Sequence, residues 1–179
     1  MKRVVVIGSG GSGKSTFARR LGKATGLGVI HLDSVFWRPN WQRTPKDEWE
    51  GKVRDLVKRD AWIMDGNFGG TRAIRLNACD TVILLDLPRP VCMYRVIKRA
   101  IVYRGRNRPD MAEGCNEKID LEFLSWVWNF PKRGRSRILD DLRGLSGKSV
   151  YILKSKRQAE SFLARIANGG ITGNNGTEA

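Results

Sequence analysis

Gly8-Ser9-Gly10-Gly11-Ser12-Gly13-Lys14-Ser15, preceded by Val4-Val5-Val6-Ile7 and followed by Thr16-Phe17-Ala18-Arg19-Arg20-Leu21, decides the fold of this chain. The spacing G-x-x-x-x-G-K-S has a physical reason. Glycines free of Cβ clashes let successive backbone N–H groups converge on a phosphate, and Lys14 reaches the outer phosphates as a point charge. Ser15 offers its hydroxyl to Mg²⁺. The helix that opens here adds its unpaired N–H groups and the positive end of its dipole. An apolar strand, a glycine loop and a helix in this order read as a P-loop, so residues 8–16 are the expected phosphate cradle of a bound nucleotide.

Outward from this loop, composition sets the limits. At 179 residues and 41% apolar content the length suits one domain, expected over residues 1–167. A tail of residues 168–179, rich in Gly, Asn and Thr, is expected to be flexible. No window approaches the roughly eighteen apolar residues of a membrane span, and the first strand opens within three residues of Met1. A cytoplasmic protein without a membrane partner is expected. Cys79, Cys92 and Cys115 are an odd number without C-x-x-C spacing, which argues against a disulfide framework and a zinc site and for packing residues. The net charge of +15 attracts polyanions, whether nucleotides, nucleic acid or phosphorylated metabolites.

Short apolar runs alternate with amphipathic stretches, the sequence form of a parallel sheet covered by helices. Residues 3–7, 29–32, 62–65, 81–86 and 149–153 read as five strands, each near-continuously apolar as a strand buried on both faces should be. The expected fold class is α/β, a five-stranded parallel sheet with helices on both faces; the strand order 2-3-1-4-5 of a P-loop NTPase and a small Arg-rich lid at about residues 100–116 are what the resemblance described below implies. Helices are expected over residues 14–25, from Thr44 as N-cap to Val57, over 90–103, over 117–129, through Ile138, Leu139 and Leu142, and after the capping box Ser155-Lys156-Arg157-Gln158. Pro131-Lys132-Arg133-Gly134-Arg135 reads as a basic turn. Between Arg95 and Arg108 stand six basic residues and no acidic one.

Ligands of open α/β sheets bind at the carboxyl ends of the strands. Strand two ends in His31-Leu32-Asp33, strand three in Met64-Asp65-Gly66-Asn67, and strand four in Leu85-Asp86-Leu87-Pro88. A carboxylate there can hold the Mg²⁺ shell, or orient a substrate hydroxyl and accept its proton. Asp33 and Asp65 precede irregular segments with nothing obvious to cap, which favours function. Asp86 precedes a helix and reads as its cap. His31, the one histidine, reads as a core residue. Phe36, Trp37 and Trp41 could stack on a base or close the core beneath a loop.

Taken together, the P-loop, the Asp-Gly turn after the third strand and the Arg-rich segment after the fourth resemble the nucleoside monophosphate kinase and shikimate kinase group. More closely, residues 31–33, 36–41, 62–71, 103–111 and 121–128 resemble bacterial proteins labelled DNA topology modulation protein, or adenylate-kinase-like, over the chain up to about Leu153. The resemblance implies that residues 8–16 bind ATP and that Asp65 is the carboxylate near Mg²⁺, beside Ser15. It implies that Arg95 and Arg99 begin a lid whose Arg104, Arg106 and Arg108 neutralise the transferring phosphoryl group together with Arg99 and Lys14. The turn Gly69-Gly70-Thr71-Arg72 is placed like an acceptor-binding turn, with Asp33, Phe36, Trp37, Asn67 and Arg72 as acceptor contacts. Adenylate kinases carry Asp-Gly-Phe-Pro-Arg after strand three, whereas this chain has Asp65-Gly66-Asn67-Phe68-Gly69-Gly70, so the acceptor is not named by the resemblance.

The expected activity is transfer of the γ-phosphoryl of ATP, with Mg²⁺, to a small acceptor such as a nucleotide or nucleoside. The alternative is a nucleotide-regulated DNA-binding protein affecting DNA topology, in which the basic 95–108 segment contacts nucleic acid.

Overall fold

Strand β1 (Arg3–Gly8) is apolar on both sides because it lies in the middle of a sheet. The computed structural model describes residues 1–117 and 120–169. After β1 come α1 (Lys14–Thr25), β2 (Val29–His31), α2 (Leu32–Phe36) and a two-strand ribbon, β3 (Trp37–Arg38) with β4 (Gln42–Arg43). Then follow α3 (Lys46–Val57), β5 (Trp62–Asp65), α4 (Gly69–Ala78), β6 (Thr81–Leu85) and α5 (Arg89–Val102). The described chain closes with α6 (Leu121–Phe130), α7 (Ser136–Arg143), β7 (Ser149–Leu153) and α8 (Lys156–Ala167).

The main sheet is parallel and ordered β2-β5-β1-β6-β7. Numbered among themselves, these five strands run 2-3-1-4-5, as expected. Alternate residues of each strand go to opposite faces. Val5 and Ile7, with Met64, Val82 and Leu84, pack against Trp49 and Val53 of α3, Leu76 of α4, and Ile138 and Leu142 of α7. Val4 and Val6, with Ile63, Ile83 and Leu85, pack against Phe17, Ala18 and Leu21 of α1 and Phe162 and Leu163 of α8. Each such side chain contributes about 1.5–3 kcal/mol by leaving water, so the sheet needs both helical layers. A third cluster, Cys92, Val96 and Val127, joins α5 to α6. All three cysteines are free and buried.

Several local expectations are corrected. Thr44 caps nothing: its hydroxyl donates to the Phe36 carbonyl at 2.5 Å, tying the ribbon to α2, and Pro45 takes the cap position of α3. Residues 69–72 form the first turn of α4 rather than a loop, because Thr71, Arg75 and Leu76 are buried along one side. The turn expected at 131–135 is a wide π-helical turn joining α6 to α7, and a Cβ at Gly134 would stand 2.5 Å from the Phe130 ring. Asp120 accepts from the Phe123 N–H at 3.1 Å and starts α6 at Leu121, while residues 118 and 119 of the helix expected from 117 lie outside the described residues. Ser155 accepts from the Gln158 N–H as a capping box should. Of the expected flexible tail, residues 170–179 lie outside the described residues.

Candidate active site

The P-loop leaves β1 through glycines with positive φ: Gly8 at 150°, Gly11 at 74° and Gly13 at 93°. A Cβ on Gly8 would stand 2.5 Å from the Leu85 carbonyl oxygen, so β6 passes close beneath the loop. Lys14 donates from Nζ to the Ser9 carbonyl at 2.8 Å, arching over the loop it serves. Burial pushes the Lys14 ammonium below the ordinary lysine range, and nearby Asp65 and Asp33 work against that shift. The Ser12 hydroxyl is buried with no hydrogen-bond partner among the described residues.

Two strand ends deliver the carboxylates. In the β2–β5 register His31 lies opposite Asp65, and its Nδ1 stands 2.8 Å from Asp65 Oδ1. The core assignment of His31 is thus corrected: it braces a site carboxylate. That contact raises the His31 pKa against the opposing effect of burial. Asp65 is 4% exposed and lies behind the cavity wall, with Oδ2 unengaged by the ring. Asp33, in the first turn of α2, lines the cavity; burial raises its pKa and the Lys14 charge opposes the rise.

Helix α5 and the segment after it supply arginines. Arg95 reaches the Ser12 carbonyl at 3.3 Å. Arg99 donates from Nε to Glu117 Oε1 at 3.1 Å, and Arg108 Nε lies 2.5 Å from Oε2 of the same carboxylate. Arg108 also donates to Asp110 at 3.1 Å. The neck of the segment is closed by the Glu117 N–H on the Arg106 carbonyl (2.9 Å) and the Gly105 N–H on the Glu117 carbonyl (3.2 Å). Its far side is sewn to the β3–β4 ribbon: Asn40 N–H donates to Gly114, Trp41 Nε1 to Asn116, and Cys115 Sγ to Arg38. Ribbon and lid therefore form one roof.

Beneath that roof lies a cavity of about 670 Å³. Gly10, Gly11, Gly13, Lys14, Ser15 and Thr16 line the cavity, while Gly8, Ser9 and Ser12 support the loop from outside the lining. Asp33, Arg95, Arg99 and Arg108 share the lining, together with an aromatic set of Trp37, Trp41, Phe68, Phe123 and Trp126. Arg104 and Arg106 are exposed and outside it.

The acceptor contacts need correction as well. Phe36 does not reach the cavity; it packs behind it, 4.9 Å from Trp37 and 5.1 Å from Trp49 between ring centres. Arg72 is held away by Asp141, with Nε to Oδ2 at 2.5 Å. Asn67 borders the cavity, yet its amide is spent on Gly8: Oδ1 accepts from the Gly8 N–H at 3.1 Å and Nδ2 donates to the Gly8 carbonyl at 2.6 Å. Asp86 caps no helix; Arg135 of the π-turn donates to both its oxygens, at 2.8 and 2.9 Å. Asp110, Glu117, Phe68, Phe123 and Trp126 were not expected at the site. Asp110 and Glu117 do carry a signal, as acidic residues closing a long basic run. Arg75 carries none.

The Ser15 hydroxyl lines the cavity and donates a hydrogen bond to Asp110, while the buried Asp65 carboxylate lies near Lys14 behind the wall; hard oxygen donors of this kind suit Mg²⁺. Among the described residues no three His, Cys, Asp or Glu side chains gather as a metal cage. Among the described residues no helix is long and apolar enough to cross a membrane.

No protein-family model and no curated protein matches the chain. Solved structures do share its fold. A shikimate kinase from Acinetobacter baumannii, solved with shikimate, superposes with a TM-score of 0.60 at 15% identity, over 93% of this chain and 90% of that one. A shikimate kinase from Bacteroides thetaiotaomicron gives 0.56 at 14% identity, over 93% and 96%. A gluconokinase from Sinorhizobium meliloti 1021 gives 0.52 at 18% identity, over 94% of each chain. The α/β fold with a five-stranded parallel sheet is the one these small-molecule kinases use.

Proposed function

We propose that the chain is a Mg²⁺-dependent cytoplasmic kinase that transfers the γ-phosphoryl of ATP to a small acceptor, a nucleotide or nucleoside. The observation that carries this is the meeting of Lys14, Asp33, Arg95, Arg99 and Arg108 on one cavity of about 670 Å³. The shikimate and gluconate kinases of the same fold support a phosphotransferase of small hydroxyl-bearing molecules. The aromatic walls Trp37, Trp41 and Phe68 favour an acceptor with a flat face.

In this proposal the backbone N–H groups of residues 10–16 and the Lys14 ammonium hold the donor phosphates. Ser15 and Asp65 would hold the Mg²⁺, which when bound neutralises charge on the β- and γ-phosphates. Asp33 accepts the proton of the acceptor hydroxyl. The acceptor oxygen bonds to the γ-phosphorus, the bond to the β–γ bridging oxygen breaks, and ADP leaves. Arg95, Arg99 and Arg108 face the charge spread over the transferring oxygens, so rate comes from positioning and electrostatics.

The test is ATP turnover with a panel of nucleosides, nucleotides, shikimate and gluconate. One acceptor should be phosphorylated, with kcat lowered at least about a hundredfold by Lys14→Ala. ATP binding without phosphorylation of any acceptor would count against kinase activity.

A second reading rests on Arg104 and Arg106, exposed and outside the cavity. It makes the chain a nucleotide-regulated DNA binder, in line with the resemblance to DNA topology modulation proteins. Duplex binding that falls steeply with salt and is lost in Arg104→Glu/Arg106→Glu would support it.

A further inference from the structure

We propose that Arg75, which does not touch the cavity, is a positioning residue that locks the donor and acceptor loops into one frame through Asn67. The proposal rests on the reading of the cavity as a nucleotide site and adds a relay to it. Arg75 stands on α4 with its side chain fully buried. Its Nη1 donates to the Gly66 carbonyl at 2.8 Å, and its Nη2 donates to the carbonyls of Asn67 at 2.6 Å and Phe68 at 3.1 Å. Three successive carbonyls thus converge on one guanidinium. No carboxylate pairs with it among the described residues. A buried cation facing carbonyls alone is a costly arrangement that a fold has no need of for packing. The planar fork with several fixed donors is what lets one side chain gather them, and an ammonium point charge would not reproduce it.

The gathered loop is strained. Phe68, on the cavity wall, has φ 29° and ψ 72°, a conformation a bulky residue keeps only where its surroundings impose it. Two things impose it here: Arg75 on its carbonyl, and the rings of Phe36 and Trp49 at 4.8 and 4.9 Å on its side chain. One residue earlier, Asn67 passes the constraint on. Its amide clasps both the N–H and the carbonyl of Gly8, the first residue of the phosphate loop. Gly8 cannot absorb a shift, since the Leu85 carbonyl leaves no space beneath it. The chain of contacts therefore runs from α4 through residues 66–68 into the P-loop, and the wall of the acceptor side cannot move without the donor cradle.

A double-mutant cycle on Mg-ATP binding tests this, read by the fluorescence of the cavity tryptophans Trp37, Trp41 and Trp126 on protein shown to be folded by circular dichroism. Arg75→Gln and Asn67→Ala should each weaken Mg-ATP about tenfold. The double variant should be no more than about twofold weaker than the worse single, because both cut the same link. A merely structural Arg75 would lower the melting temperature while leaving the folded protein's ATP affinity within about twofold of wild type, and that would overturn the proposal. Fully additive losses, about a hundredfold in the double variant, would overturn it as well. Should Arg75→Gln not fold, Arg75→Lys enters the same cycle with the same expected non-additivity. A wild-type chain that binds no Mg-ATP sinks the nucleotide site and the relay together; a wild type that binds and an Arg75 variant that binds equally well sink the relay alone.

Discussion

At Asp33 two environments compete: burial pushes the carboxyl up, and the Lys14 ammonium pulls it down. Burial prevails, so the group loses its proton at higher pH than an ordinary aspartate near 3.8. If Asp33 takes the acceptor's proton, the acid limb of kcat/KM should lie above that value, and Asp33→Asn should abolish the limb while lowering kcat about a hundredfold. A pH–rate profile of the two proteins checks it, and an unchanged limb in the variant would remove Asp33 from the proton transfer. His31 gives a stability prediction of definite sign. Its pKa is raised by Asp65, so the folded state binds the proton more tightly than the unfolded one. The contribution is complete below the usual histidine value of 6.5 and is lost as pH rises through the raised folded value. Wild type should therefore out-melt His31→Asn most at pH 5.5–6, by about 3 °C for each kcal/mol, with the gap closing at higher pH. Calorimetry at several pH values would show a constant gap if the pair were not linked to protonation.

At the scale of elements, the roof is the part whose order depends on few contacts. Glu117 gathers Arg99 and Arg108 with one buried carboxylate, and its backbone closes the neck of the lid. Three hydrogen bonds then fasten the lid to the β3–β4 ribbon. Removing the charge leaves Arg99 beside Arg108 with Asp110 as the one remaining carboxylate partner of Arg108, a state that favours opening. Glu117→Gln should accelerate tryptic cleavage after Arg104 and Arg106 about tenfold with little change in melting temperature, since local opening and global unfolding are separate equilibria. A non-hydrolysable ATP analogue should restore resistance by supplying phosphates to the same arginines. Unchanged cleavage would mean that the hydrogen bonds to the ribbon alone hold the roof.

At the scale of the whole molecule, the sheet and its two helical layers form the frame and the cavity lies at one end of it. A ligand that binds only the folded frame must stabilise all of it. Mg-ATP at about a hundred times its Kd should add about 2.7 kcal/mol, a rise of about 5–10 °C for a chain of this size. Thermal shift with and without Mg²⁺ measures this, and Lys14→Ala should cancel most of the rise. No shift would mean that the cradle is not a nucleotide site.

How much of this was legible beforehand differs from element to element. The P-loop, the five strands and α1 could be read because each depends on neighbours in the chain: glycine spacing, continuous apolar runs, the turn at Gly26; the strand order came with the resemblance to P-loop kinases. Helix α4 could not, since Gly69-Gly70 look like a turn until Thr71, Arg75 and Leu76 are seen to be buried. The polar pairs were the least legible. Arg72 was expected at the acceptor and is held by Asp141, 69 positions away. Asp86 was expected to cap a helix and holds Arg135, 49 positions on. His31 meets Asp65 only because β2 lies in register beside β5. By itself the sequence determined the backbone scaffold and the phosphate cradle, whose physics is local. Only the tertiary structure decided which charged side chains face the cavity and which are consumed in holding it, because a charge takes whichever partner packing brings within about 3 Å, and packing joins segments that sequence keeps apart.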